Sequence, residues 1–158
     1  MGENIEMSNG NGATNGKCLS TFVDSGCVEI HRYYLSRRTL LEMLRDRGYD
    51  ISNEDIDMTL QHFRDLHDQT VDVDRLRISA SHVSDVNDKI LAVFCGTGAV
   101  KVNVIRWIAT QIMNMDSLNR LIIVVQSHIT NQAQKAVDLF SCKTEIFQRW
   151  HSGRTGLQ

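Results

Sequence analysis

The residues best placed to do chemistry lie in two short polar stretches, GTGAVK at 96–101 and SHITNQAQK at 127–135. Each follows an apolar run and precedes an amphipathic segment, which is the address of a strand-to-helix turn. At such a turn the first N–H groups of the helix lack internal partners, and together with the helix dipole they attract anions. Thr130 is a helix-capping residue type, Asn131 and Gln132 follow it, and Lys101 and Lys135 add positive charge. Phosphate is the anion that this arrangement suits. The stretch around Gly98 lacks the third glycine of a dinucleotide-binding loop, and no Gly-Lys-Ser/Thr follows it. A plain tight turn and an ordinary capped helix with solvated lysines are therefore the competing readings.

Catalytic chemistry finds less support. Cys95 precedes the glycines, but no pattern in the sequence supplies its base. Cys95 and Cys142 each end an apolar run and read as reduced core thiols. The enzymatic alternative is a small metal-dependent nuclease, which needs carboxylates gathered round a divalent ion and a cation nearby. Asp72 and Asp74 precede one apolar segment, and Lys143 and Glu145 lie in another, in the reverse of the acid-x-Lys order. The six histidines form no zinc pattern: His62 and His67 are five apart and miss the i, i+4 spacing of two ligands on one helix face. No catalytic residue, metal site or cofactor is expected.

The elements that would position these residues follow from hydrophobic period. Ile30, Tyr33, Tyr34, Leu40, Leu41 and Leu44 recur at helical spacing, and Gly48 follows the last basic turn as a left-handed cap would. Arg37 falls within that stripe, where an arginine lies over the core with its head paired. Ser52 opens a second helix carrying Ile56, Leu60 and Phe63, with Asp55 in the capping-box position. At RLRISASH the period changes to two, with Leu76, Ile78 and Ala80 alternating with polar residues in an edge-like strand. KILAVFC suits a more central strand, antiparallel to the first.

A helix with Ile105, Ile108, Ala109, Ile112 and Met115 inward comes next. The strand LIIVV, a helix capped by Thr130 and the strand KTEIF complete the series. Strand, helix, strand, helix, strand implies parallel neighbours joined by crossovers. The expected fold is α/β: two N-terminal helices, then a small four-stranded mixed sheet with flanking helices. Both polar stretches then fall at the carboxyl ends of parallel strands, the edge where open α/β sheets bind ligands.

Size and composition bound the function. A chain of 158 residues with 42% hydrophobic content suits one domain plus tails. No apolar run approaches the ~20 residues of a membrane helix. The Asn/Gly-rich start lacks the segments of a secretory signal, and Glu6 replaces the Ser or Thr of a myristoylation motif, so an intracellular protein without a membrane partner is expected. Net charge is −2, not the basic excess of a free-standing DNA binder; contact with nucleic acid would be weak or made within something larger. Residues 1–28 are expected to be a disordered extension, 29–148 the folded domain and 149–158 an unstructured tail.

HRYYLSRRTLLEMLRDRGYDISNEDI, VDVDRLRISASH, GAVKVNVIR and LIIVVQSHITNQAQKAVDLFSCKTEIFQ together resemble the fifth subunit of eukaryotic nuclear DNA-dependent RNA polymerases. The resemblance runs from about His31 to Gln148 and is strongest to the version of the plant-specific polymerase V. It implies the N-terminal jaw domain of a non-catalytic nuclear subunit. That domain lies beside downstream duplex DNA, in transcription of non-coding RNA for RNA-directed DNA methylation. It also implies partnership with the largest and other polymerase subunits. The loops matching Gly96–Lys101 and Thr130–Lys135 approach the DNA, so Gly98, Lys101, Thr130, Asn131, Gln132 and Lys135 are the implied nucleic-acid-binding residues. Many relatives carry proline at the positions of Gly98 and Asn131; this chain has no proline, so less rigid loops are expected. A family member continues after EIFQ into a C-terminal assembly domain, which RWHSGRTGLQ does not match. The corresponding expectation is a truncated form, from splicing or an early stop, that associates poorly with polymerase. An orphan isoform outside any complex is the alternative.

Overall fold

Helix α1, Gly16–Asp46, opens a computed structural model that describes residues 16–67, 70–113, 115 and 117–148, with side chains from residue 28 onward. It begins inside the stretch expected to be a disordered extension. Propagating an existing helix needs one residue fixed per hydrogen bond, which is far easier than nucleating one. Residues 1–15 and the expected tail, 149–158, lie outside the described residues.

The predicted stripe of α1 is buried, with Tyr33, Leu40, Leu41 and Leu44 all at 2% exposure or less. Truncating one of these leucines to alanine would cost about 2–5 kcal/mol, because the cavity adds to the lost transfer energy. The helix stops at Gly48, whose φ of 91° lies in the left-handed region. The Gly48 N–H bonds the Arg45 carbonyl at 2.9 Å and the Tyr49 N–H bonds that of Leu44 at 3.0 Å, which satisfies the last turn. Arg37 is 17% exposed and meets Asp55 at 3.6 Å, as its place in the stripe requires.

The second helix expected from the sequence is broken into α2, Asn53–Asp57, and α3, Leu60–His67. Ser52 caps α2, its hydroxyl accepting from the Asp55 N–H at 3.1 Å. The break at Met58 follows from two competing polar contacts. Tyr34 donates its hydroxyl to the Met58 carbonyl at 2.9 Å, and the Thr59 hydroxyl accepts from the His62 N–H as a fresh cap. Leu76 also departs from expectation. It ends a single 3-10 turn, Val73–Leu76, opened by the Asp72 carboxylate on the Asp74 N–H at 3.0 Å.

Strands β1, Ile78–His82, and β2, Asp85–Phe94, form an antiparallel hairpin across Val83 and Ser84. Helix α4, Val102–Ile112, leads to β3, Leu118–Val125, and α5, Asn131–Val137, leads to β4, Lys143–Gln148. The sheet order is β1-β2-β3-β4, with β2, β3 and β4 parallel. Alternation along β2 and β3 separates two apolar layers. Ile90, Ala92, Phe94, Ile122 and Val124 pack with α1, α2 and α3, while Leu91, Val93, Leu121, Ile123 and Val125 pack with α4 and α5. Burial on both faces is why these central strands read as continuous apolar runs. Met115, expected on the inward face of α4, lies past its end and is 40% exposed.

Candidate functional site

The parallel strands deliver the two polar stretches to one edge of the sheet, where they are joined. Val100 and Ile129 form an isolated parallel bridge. The Val100 N–H bonds the His128 carbonyl at 3.0 Å, and the Thr130 N–H bonds the Val100 carbonyl at 3.0 Å. Gly98 and Thr130 therefore flank a single backbone clasp. Further contacts hold the rim from two sides. At the end of β4, Gln148 donates its amide to the Ser127 carbonyl at 3.1 Å. From α1, the Tyr33 hydroxyl reaches the Cys95 carbonyl at 3.4 Å.

Burial marks this underside as apolar. It pushes the Tyr33 hydroxyl up to about 12, with Glu29 and Cys95 adding to the effect. It also pushes the Cys95 thiol up to about 11, so this sulfur stays a protonated core thiol instead of a nucleophile.

On the outer side Gly98, Lys101, Asn131, Gln132 and Lys135 are exposed, and Thr130 is half-buried. Thr130 caps α5, its hydroxyl accepting from the Ala133 N–H at 3.2 Å. Lys101 immediately precedes α4 without capping it through its side chain. Gly98, Lys101, Thr130, Asn131 and Gln132 are thus gathered on the rim. Lys135 stands in the last turn of α5, about 6 Å down the axis at the usual helical rise. The rim glycines are not forced. Neither Gly96 nor Gly98 has a positive φ, and a β-carbon built on either would meet nothing within 4 Å.

The carboxylates of the nuclease alternative are occupied elsewhere. Asp74 pairs with Arg77 at 2.9 Å, Glu145 pairs with Arg47 at 2.9 Å, and Asp72 caps the 3-10 turn. Among the described residues no group of three or more His, Cys, Asp or Glu could hold a metal ion.

One signal in the sequence escapes a reading by motif. Between Lys89 and Val137 the chain holds a single carboxylate, Asp116, against Lys89, Lys101, Arg106, Arg120 and Lys135. The net charge of −2 conceals this cationic segment, which carries the rim. Charge counted by segment would have found it.

A family model described as RNA polymerase Rpb5, N-terminal domain, matches residues 28–112. Subunit 5B of DNA-directed RNA polymerases IV and V of Arabidopsis thaliana is 57% identical over 126 residues, 80% of this chain and 58% of its own length. The polymerase V subunit 5A of the same plant is 54% identical over 131 residues, 83% of this chain and 59% of its own. The RPABC1 subunit of polymerases I, II and III of Caenorhabditis briggsae is 28% identical over 115 residues, 70% and 54% of the respective chains. The chain thus spans less than two thirds of the length of these curated relatives. The C-terminal part of α1, α2, α3, the β1–β2 hairpin and α4 fall within the matched region, and by that match the chain belongs to the Rpb5 family of RNA polymerase subunits.

Proposed function

We propose that this chain is a non-catalytic, nuclear component of a DNA-directed RNA polymerase of the plant polymerase V type, seated in the lower jaw beside downstream duplex DNA. Its partners are the largest and other polymerase subunits, and its setting is the transcription that directs DNA methylation. The observation that carries the reading is the 57% identity to a polymerase IV and V subunit across 80% of the chain. The rim supplies a physical role. Gly98, Lys101, Thr130, Asn131 and Gln132, with Lys135 behind them, bring two cations and no carboxylate of their own to a surface suited to phosphate oxygens. Such contacts position a duplex without reading its sequence, and a few of them suffice on a large basic machine.

Sedimentation of nuclear extract through a glycerol gradient tests the assignment. Co-migration of at least a fraction of the chain with the largest polymerase V subunit is the expected result. Migration only with small proteins would overturn it in favour of an orphan chain.

A further inference from the structure

Helix α4 buries Ile105 and Ile108 against the sheet and leaves the opposite side bare. Asn103, Arg106, Trp107, Thr110 and Met113 are all exposed, and their spacing places them on one stripe along the helix and its C-cap. Trp107 is 57% exposed and Met113 82% exposed. A tryptophan so open to water at mid-helix is uncommon, because its large apolar surface ordinarily goes to a core or an interface.

The polar members of the stripe are Asn103, Arg106 and Thr110. Thr110 turns its hydroxyl back onto the Trp107 carbonyl at 2.7 Å, so its donor is already used. Arg106 makes no ion pair among the described residues. The whole of α4 contains no carboxylate that could neutralise it.

We infer that this stripe is a protein-docking surface whose occupant is an acidic amphipathic helix. Charge complementarity sets the sign of the partner, since a cation without counter-charge beside an exposed tryptophan steers an acidic segment and disfavours a basic one. The apolar pair sets its class. Trp and Met are side chains that anchor protein interfaces, Met by adapting to irregular contacts. A nucleic acid would meet one cation and an apolar ridge here, and its phosphates are better served on the rim. From Asn103 to Met113 the stripe is about 15 Å long, matching a partner helix of roughly three turns with apolar residues at i, i+3, i+4 and i+7. The inference stands apart from the rim and its DNA.

The test uses the full 158-residue chain and a fluorescein-labelled 15-residue probe peptide with Leu at those positions and Glu elsewhere. Anisotropy should show saturable binding that weakens at least tenfold with Trp107→Ala and with Arg106→Glu, and that falls as salt is raised. A peptide with Lys replacing every Glu should bind at least tenfold more weakly. Because both substituted residues are exposed, circular dichroism should show unchanged folding. Absent binding, binding indifferent to both substitutions, or preference for the Lys peptide would overturn the inference. So would competition by a single-stranded or duplex oligonucleotide through Trp107, or self-association of the chain lost with Trp107→Ala.

Discussion

The His82 imidazole fills the space where a side chain on Gly48 would stand: a β-carbon there would lie 2.5 Å from His82 Nε2. The same imidazole bridges Ser84 Oγ at 2.8 Å and the Arg47 carbonyl at 3.2 Å, and meets the Tyr49 ring edge-on. The Val83 N–H bonds the Gly48 carbonyl, and the Asp50 N–H bonds the Ser81 carbonyl, each at 2.9 Å. The end of α1 is thereby fastened to the β1–β2 hairpin. Gly48→Ala should cost about 1–2 kcal/mol for the left-handed backbone alone, and the collision with His82 adds to it. In a His82→Ala background the collision disappears, so the pair should cost less than the sum of the single changes. Urea titration of the four proteins measures this. Additive losses would show that the imidazole does not occupy that space.

Thr130 joins the rim to α5 as the cap of that helix. Thr130→Ala removes the acceptor for the Ala133 N–H and should cost about 1 kcal/mol, whereas Thr130→Ser should be nearly neutral. The shift in urea midpoint reads the difference. Equal losses for the two variants would mean that the methyl group, not the hydroxyl, matters.

What the sequence made legible is what is local. Gly48, Ser52 and Thr130 announce their caps within a few positions, the α1 stripe announces its period, and the two buried strands announce themselves as continuous apolar runs. What stayed hidden depends on partners distant in the chain. The break at Met58 needs Tyr34, 24 residues earlier, and the Gly48–His82 contact needs the hairpin. The rim was placed correctly by topology, because parallel strands deliver their carboxyl ends to one edge. The clasp between Val100 and Ile129 that joins its halves leaves no mark in either segment alone.

Alkaline pH should loosen the underside of the rim. The Cys95 thiol and the Tyr33 hydroxyl hold their protons more tightly in the fold than in the open chain, where the ordinary values are 9.0 and 10.0. Their contribution to stability is therefore fully present below pH 9.0 and is lost as pH rises through about 11 for the thiol and about 12 for the hydroxyl. Urea midpoints taken from pH 8 to 11 should fall more steeply for the native chain than for Cys95→Ala. Parallel slopes would place the sulfur in contact with water.

The rim proposal makes a graded prediction for DNA. In an assembled polymerase with a labelled downstream duplex, Lys101→Glu should weaken the cross-link between this chain and DNA. It should also lower the salt dependence of DNA binding by about one phosphate contact. Lys135→Glu should do less, because Lys135 lies in the last turn of α5, below the rim. Both changes should act alike on any duplex sequence, since phosphate contacts carry no base information. Both lysines are exposed and make no ion pair among the described residues, so they can be reversed without unfolding the chain, and lost cross-linking would report contact and not collapse. If neither substitution altered the cross-link or the salt slope, the rim of this chain would face something other than DNA.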